Sequence, residues 1–178
     1  MNLPAPELKE SQSVMEHALE KCLAFLKQIG INTILKNVDD QSFLPGLSIE
    51  EGCLIIDVTR LTYPGDILHE AGHLAVVPAA ERMLLNAKSI ARRADREAEE
   101  MMAIAWSYAA CVHLNIDPEF VFHSEGYKGG GSQIAENFRN KQYFGLPMLQ
   151  WIGLTVEEKN ASKLNMPPFP HMIKWLRD

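Results

Sequence analysis

Apolar residues recur at helical spacing near the start of the chain and in short continuous runs after that. Residues 6–29 carry apolar side chains three or four positions apart, which predicts an amphipathic helix. Residues 31–38 predict a short strand, because they contain β-branched residues and follow a glycine. Residues 47–59 predict a hairpin that turns at Glu51 and Gly52, with a buried strand after the turn.

The second half of the chain has a helical period almost throughout. Residues 67–77 predict a helix that ends before Pro78, since a residue preceding proline disfavours the helical conformation. Residues 90–114 form the longest helical stretch, and residues 133–152 predict a further helix that breaks near Gly145. This order predicts an α+β fold that is mainly helical, with a small sheet preceding the helix at 67–77.

Composition and charge narrow the class of protein. The 178 residues are 47% hydrophobic and 22% charged, which predicts a single globular domain spanning residues 1–178. A net charge of -6 argues against a nucleic-acid partner. We also expect no membrane span, no secretion signal and no disulfide framework, since long apolar runs and paired cysteine motifs are missing. A cytoplasmic protein is therefore predicted, and its oligomeric state stays open.

The helix at 67–77 contains the strongest chemical signal, His-Glu-Ala-Gly-His at residues 69–73. His69 and His73 are four residues apart and project from one face, so both can bind the same metal ion. Glu70 lies about 100° further round the helix, where it can act as a general base. Two ligands and a base on one helix are the parts of an HExxH hydrolase. The alternative is a core helix whose histidines hydrogen-bond locally.

Gly72 stands inside this predicted helix. Glycine in a helix interior costs about 1 kcal/mol relative to alanine. Its presence therefore predicts that another helix packs very close at this point.

A catalytic zinc site usually has three protein ligands and one open position. Val76 and Ala79 occupy the places where a longer histidine motif would have its glycine and third histidine. The third ligand is therefore expected to be a carboxylate from the helix at 90–114. Glu97 falls within an apolar arc of that helix, and metal binding would offset the cost of burying its charge. The alternative for Glu97 is a salt bridge with Arg93.

Two neighbouring glutamates occupy other positions around the same helix. Glu100 lies just beyond the margin of the apolar arc and is the second candidate ligand, whereas Glu99 faces away and is expected to be solvated. The ligand set suits Zn²⁺, although the sequence does not separate zinc securely from manganese or iron.

The HEAGHLAV segment, followed about two dozen residues later by Glu97-Ala98 on a helix, resembles the ImmA/IrrE-type metallopeptidase-like domains, which are zincins of the gluzincin kind. The resemblance covers roughly residues 53 to 110. It implies a zincin-like fold, a zinc ion held by His69, His73 and Glu97, and a peptide or protein substrate. Substrate identity does not carry over, because the regions outside 53 to 110 are unmatched.

A glycine-rich segment later in the chain could complete an active site. His123 and Tyr127 precede three consecutive glycines and are candidates for stabilising an oxyanion, with the glycines as a mobile lid. The alternatives are a surface histidine, a packing tyrosine and a plain linker.

The leading hypothesis is a zinc-dependent peptidase-like hydrolase in which Glu70 is the general base. The second is a metal-binding regulatory or interaction module on a zincin scaffold, without general peptidase activity. The third is a helical protein that binds no metal.

Overall fold

The computed structural model describes residues 5–38 and 44–178, which fold as an α+β protein that is mainly helical, as predicted. Three strands precede most of the helices: β1 (Thr33–Leu35), β2 (Leu47–Glu50) and β3 (Cys53–Ile56). The helices are α1 (Ala5–Ile29), α2 (Asp66–Val76), α3 (Ala79–Arg82), α4 (Ala87–Ile90), α5 (Arg96–Leu114), α6 (Gly131–Arg139), α7 (Leu146–Trp151) and α8 (Glu158–Leu164). Single 3-10 turns lie at Pro118–Phe120 and Tyr127–Gly129.

The small sheet has the order β1-β3-β2, with β1 parallel and β2 antiparallel to the central strand β3. The predicted hairpin is confirmed. Its turn residues Glu51 and Gly52 have φ values of 48° and 72°, and two left-handed residues match the twist of the strands on either side. The apolar side chains of β3 from Leu54 to Ile56 are buried, so the middle strand forms part of the core beneath α2.

Helices α2 and α5 form the principal helix pair of the core and run antiparallel. A Cβ atom on Gly72 would lie only 2.9 Å from the carbonyl oxygen of Ala103, which confirms the predicted close approach. Ser107 lies further along the same face of α5 and donates a hydrogen bond to the carbonyl oxygen of Leu68 at 3.3 Å. This register brings the first two turns of α5, including Glu100, level with the histidines of α2.

The C-terminal end of α2 is closed by two arginines. Arg82 donates from Nε to the carbonyl oxygen of Leu74 at 2.8 Å and from Nη2 to that of Val77 at 3.2 Å. The backbone N–H of Arg177 donates to the carbonyl oxygen of Ala75 at 2.9 Å. The last carbonyls of a helix have no partner within the helix, so these donors supply the missing hydrogen bonds.

The tail that carries Arg177 is fixed by aromatic packing. The ring of Trp175 meets Trp106 of α5 with centroids 5.4 Å apart and Phe25 of α1 at 4.8 Å. Trp106 also donates from its indole nitrogen to the carbonyl oxygen of Trp175 at 2.9 Å. The tail therefore joins α1, α2 and α5 on one side of the core.

Two predicted helices differ from the structure in their extent. The stretch at 90–114 is divided, because α4 ends at Ile90 and α5 begins only at Arg96. The stretch at 133–152 consists of α6, which ends at Arg139, and α7, and the predicted break near Gly145 is confirmed, since Gly145 has a φ of 77° that a continuous helix does not allow. Within the described ranges, no helix is long and apolar enough to cross a bilayer.

Candidate metal centre

The two histidines of α2 converge on one point. The Nε2 atoms of His69 and His73 lie 3.2 Å apart, and their rings are nearly perpendicular at 85°. Both side chains are largely buried, with 13% and 8% of their surface exposed. The prediction that these histidines share a face and point at the same place is confirmed.

The carboxylate that faces the histidine pair belongs to Glu100, in the first turns of α5. Its Oε1 lies 3.5 Å from Nε2 of His69, and its Oε2 lies 3.2 Å from Nε2 of His73. The side chain of Glu100 keeps 43% of its surface exposed, so the cluster is open to solvent on that side. Three groups that commonly bind metals therefore meet between α2 and α5, on the side where Glu100 is exposed to solvent.

Glu97, the first choice for the third ligand, does not lie in a buried stripe, and that prediction is wrong in its placement. Its side chain is exposed, and the carboxylate beside the histidines comes from Glu100. Glu99 differs from its prediction as well, because it is buried rather than solvated. Arg93, expected as the alternative partner of Glu97, instead donates from Nε to both carboxylate oxygens of Glu99 at 2.9 and 2.7 Å.

The error has a physical cause in the burial of α5. Every residue from Met102 to Cys111 is buried, so apolar side chains occupy all sides of the helix and do not identify the side that faces α2. The apolar arc predicted around Glu97 includes Met101 and Val112, and these two side chains are 38% and 44% exposed. The arc that included Glu97 therefore lies partly at the protein surface.

The small residues on the facing sides of α2 and α5 were the sequence signal that could have identified Glu100 as the glutamate beside the histidines. Gly72 on α2 requires a small partner, and Ala103 on α5 is that partner. Ser107 follows Ala103 by four residues and Glu100 precedes it by three, so all three lie on one face of α5. Matching the small residues of the two helices would have selected Glu100.

Glu70 flanks the histidines without joining the contact that Glu100 makes. One of its carboxylate oxygens lies within 4.8 Å of a ring nitrogen of both His69 and His73. The side chain is partly buried, and it has no hydrogen-bond or ion-pair partner among the described residues. The carboxylate of Glu70 therefore lies beside the histidine pair without a side-chain partner of its own within the ranges that the structure describes.

The charges of the cluster are strongly coupled. Burial alone lowers the pKa of His69, but the carboxylate of Glu100, assisted by the charges of Glu70 and Asp66, more than offsets it, so this pKa lies above its usual value. Partial burial raises the pKa of Glu100, yet hydrogen bonds and charge from His69 and His73 hold it well below its usual range. Glu100 is therefore ionised at neutral pH and favours a positive charge between the three groups.

Tyr127 lies behind His69 rather than on the side where the ligands meet. Its hydroxyl oxygen is 3.1 Å from Nδ1 of His69, whereas the histidine pair and Glu100 meet at Nε2. Burial, and then the nearby acidic groups, raises the pKa of Tyr127 well above its usual value, so the phenol stays neutral. This position does not suit a donor to an oxyanion on the Nε2 side.

His123 contacts the start of α2. Its Nε2 lies 3.2 Å from Oδ1 of Asp66, and its ring stacks on Tyr63 with centroids 3.8 Å apart and planes 8° apart. The glycine-rich segment packs tightly on the backbone of His123, since a Cβ on Gly131 would lie 2.2 Å from the carbonyl oxygen of His123. His123 thus holds this segment against the N-terminal end of α2.

The spacing of the three groups fits a tetrahedral metal ion. Two ligand atoms that are each 2.0–2.1 Å from Zn²⁺ at a tetrahedral angle lie about 3.3 Å from one another. The Nε2 atoms of His69 and His73 are 3.2 Å apart, and two different oxygens of Glu100 lie 3.2 Å from His73 and 3.5 Å from His69, so each contact is close to that value. Two imidazoles and one carboxylate are also a ligand set typical of zinc enzymes, which leave the fourth position open.

No protein-family model matches the chain, and neither does any curated protein or solved structure.

Proposed function

We propose that this protein is a zinc-dependent, peptidase-like hydrolase whose metal ligands are His69, His73 and Glu100. The observation that supports it most directly is the mutual spacing of the three groups, at 3.2 to 3.5 Å, on two antiparallel helices. A bound Zn²⁺ would lower the pKa of a water molecule and polarise a carbonyl group.

The roles of the protein groups follow from their positions. Glu70 is the general base: its free carboxylate accepts a proton from the attacking water and can deliver it to the leaving amine. Glu100 brings one negative charge to the ligand set, which favours a divalent cation at this point. The exposed side of Glu100 is where a peptide or protein substrate would enter.

The binding site is tested by metal content in matched glutamate variants. Glu100→Gln removes the charge that faces the histidines, and we expect it to lose most of the bound zinc. Glu97→Gln makes the same chemical change one turn earlier at an exposed position, and we expect it to keep zinc at one ion per chain. Elemental analysis after purification and zinc addition measures both. Zinc loss in Glu97→Gln with retention in Glu100→Gln would contradict the assignment.

The hydrolytic step is tested at Glu70. We expect Glu70→Gln to keep its zinc and to lose hydrolysis of any peptide that the wild type cleaves, because the amide does not accept the proton. Mass spectrometry of digested peptide mixtures, beside metal analysis of the same samples, measures both properties. Retained hydrolysis in this variant would overturn the role of Glu70.

A second function is favoured by the position of Tyr127. The residue expected to stabilise an oxyanion lies behind His69, on the side away from Nε2. This supports the alternative of a metal-binding regulatory or interaction module without general peptidase activity. Broad cleavage of a peptide library by the zinc-loaded protein would exclude that alternative, whereas zinc binding without cleavage would favour it.

We also propose a cytoplasmic location. The three cysteines are free thiols in the structure, which is compatible with a reducing compartment.

A further inference from the structure

One loop contacts the first turn of α2 at two points. His123 pairs with Asp66 at 3.2 Å, and Tyr127 reaches Nδ1 of His69 at 3.1 Å. Asp66 and His69 are three residues apart on one helical face, while His123 and Tyr127 are four residues apart in the loop. The loop therefore contacts His69 through Tyr127, at the ring nitrogen that faces away from His73 and Glu100.

The chemistry of imidazole makes this contact relevant to a metal. A neutral histidine has one N–H and one lone pair, and a metal at Nε2 requires the lone pair there and the proton at Nδ1. The hydroxyl oxygen of Tyr127 can accept that Nδ1–H. A metal-bound histidine almost always donates its second ring N–H to such an acceptor, which orients the ring.

The second histidine has no equivalent contact. Nδ1 of His73 is buried and has no hydrogen-bond partner in the described part of the chain. Its orientation depends on the packing of α2 and on the contact with Glu100. The two histidines of the motif are therefore held by different means, and only His69 has an acceptor behind its ring among the residues that the structure describes.

The backbone around Tyr127 has an uncommon conformation. Tyr127, Lys128 and Gly129 have φ values of 54°, 57° and 82°, which are three consecutive left-handed residues. Left-handed backbone is unfavourable for residues other than glycine and persists only where the surrounding structure holds it. A Cβ on Gly129 would meet nothing within 4 Å, so glycine is required there by the backbone angle and not by crowding.

We propose that Tyr127 is a positioning residue for the metal centre, which accepts the Nδ1–H of His69 and keeps the lone pair of Nε2 directed at the metal. This inference depends on the proposed zinc site. It assigns to the glycine-rich loop the task of presenting Tyr127 to α2.

The test compares two tyrosine-to-phenylalanine variants. Tyr127→Phe removes only the hydroxyl that faces His69, and we expect zinc binding to weaken roughly 10-fold. Tyr143→Phe removes a hydroxyl from the aromatic cluster around Phe138 and Phe169, away from the histidines, and should bind zinc like the wild type. Competition with a chromophoric chelator measures the affinity, and thermal unfolding of the metal-free proteins shows whether each variant is folded.

A spectroscopic measurement separates positioning from a general structural effect. With ¹⁵N-labelled histidine and bound zinc, we expect the wild type to show a slowly exchanging Nδ1–H proton for His69, which Tyr127→Phe loses. The wild-type spectrum decides the question even if the variant does not fold, because a rapidly exchanging Nδ1–H would overturn the proposal.

The outcomes for this inference and for the metal site are distinct. A wild type that binds no zinc contradicts the proposed metal site itself. A wild type that binds zinc, with equal affinity in Tyr127→Phe, overturns the role of Tyr127 and leaves the site intact. Equal weakening in Tyr127→Phe and Tyr143→Phe also overturns it, because the effect would not depend on contact with His69.

Discussion

The two ends of α2 are held in different ways. At the N-terminal end, side chains make the polar contacts: Asp66 with His123, and His69 with Tyr127 as well as with His73 and Glu100. At the C-terminal end, Arg82 and the backbone of Arg177 donate to the last carbonyl oxygens of the helix. The contacts at the N-terminal end orient side chains, whereas those at the C-terminal end supply hydrogen-bond donors to backbone carbonyl groups.

This difference separates chemistry from stability within a single helix of eleven residues. Loss of a donor at the C-terminal end leaves buried carbonyl groups without partners, which destabilises the fold. Loss of a contact at the N-terminal end changes the orientation or charge of a side chain near the metal site. Variants at the C-terminal end should therefore change the free energy of unfolding, and variants at the N-terminal end should change the orientation or charge of side chains near the metal site. A variant in the middle of the helix should change both stability and zinc binding.

The largest effect is expected at Gly72, in the middle of the helix. Gly72→Val places a branched side chain where even a Cβ would lie 2.9 Å from the carbonyl oxygen of Ala103. Overpacking of this kind should lower the free energy of unfolding by about 3 kcal/mol. We also expect zinc binding to fail, because α5 carries Glu100 and must move away from α2.

Urea unfolding and zinc titration of Gly72→Val measure the two effects. Ala80→Val adds similar bulk at an exposed position of α3 and should leave both properties almost unchanged. A Gly72→Val protein with wild-type stability would show that the contact between α2 and α5 is not sterically limited.

A smaller effect, confined to stability, is expected at the C-terminal end. Arg82→Met keeps an apolar side chain but removes the donors to the carbonyl oxygens of Leu74, Val77 and Arg177. Unpaired carbonyl groups should lower the free energy of unfolding by about 2 kcal/mol, or roughly 6 °C in melting temperature for a chain of this size. Excess zinc should raise the melting temperature of the variant as much as that of the wild type, since the ligands are untouched.

Arg92→Met is the matched control for this change. Arg92 is exposed, and its side chain makes no hydrogen bond or ion pair with any of the described residues. We expect it to change the free energy of unfolding by less than about 0.5 kcal/mol. If Arg82→Met lowered zinc affinity as well, the separation between the two ends of α2 would not hold.

The smallest effect is a change in pH dependence at the N-terminal end. Burial raises the pKa of Asp66, and the hydrogen bond from His123 only partly offsets it. The folded protein then keeps this proton to a higher pH than the unfolded chain, so stability falls as pH rises from about 3.9 through the raised pKa. Asp66→Asn cannot lose a proton and should not show this loss.

Urea unfolding of the wild type and of Asp66→Asn across acidic to neutral pH measures this difference. The stability of the wild type relative to the variant should decline with rising pH and then stay constant. Asp95→Asn, at the exposed start of α5, controls for the removal of one acidic group. A relative stability that increases with pH would show that the contact with His123 outweighs the cost of burial.

Local patterns in the sequence were sufficient for several features of this protein. The period of the apolar residues predicted α1, the turn residues predicted the hairpin, and Pro78 marked the end of α2. The spacing of His69 and His73 required no tertiary contact to be interpreted, because residues four apart share a face in any α-helix. Gly72 likewise indicated a close helix contact by its cost alone.

Which glutamate of α5 faces the two histidines was decided only in the tertiary structure. Glu97, Glu99 and Glu100 lie within four residues of one helix, yet one is exposed, one is bound to Arg93 and one faces the histidines. A rotation of α5 by one residue, about 100°, would bring Glu99 to the position that Glu100 occupies. The contact of Ala103 with Gly72 sets that rotation, and it joins residues 31 positions apart in the chain.

The sequence by itself therefore determined the local chemistry of α2, since a helix positions its own residues through hydrogen bonds four residues apart. The tertiary structure determined what faces that chemistry, from Glu100 on one side of His69 to Tyr127 on the other. These partners come from distant segments, and their places depend on how closely the helices pack and on the backbone of one loop. No periodicity within a single segment contains that information.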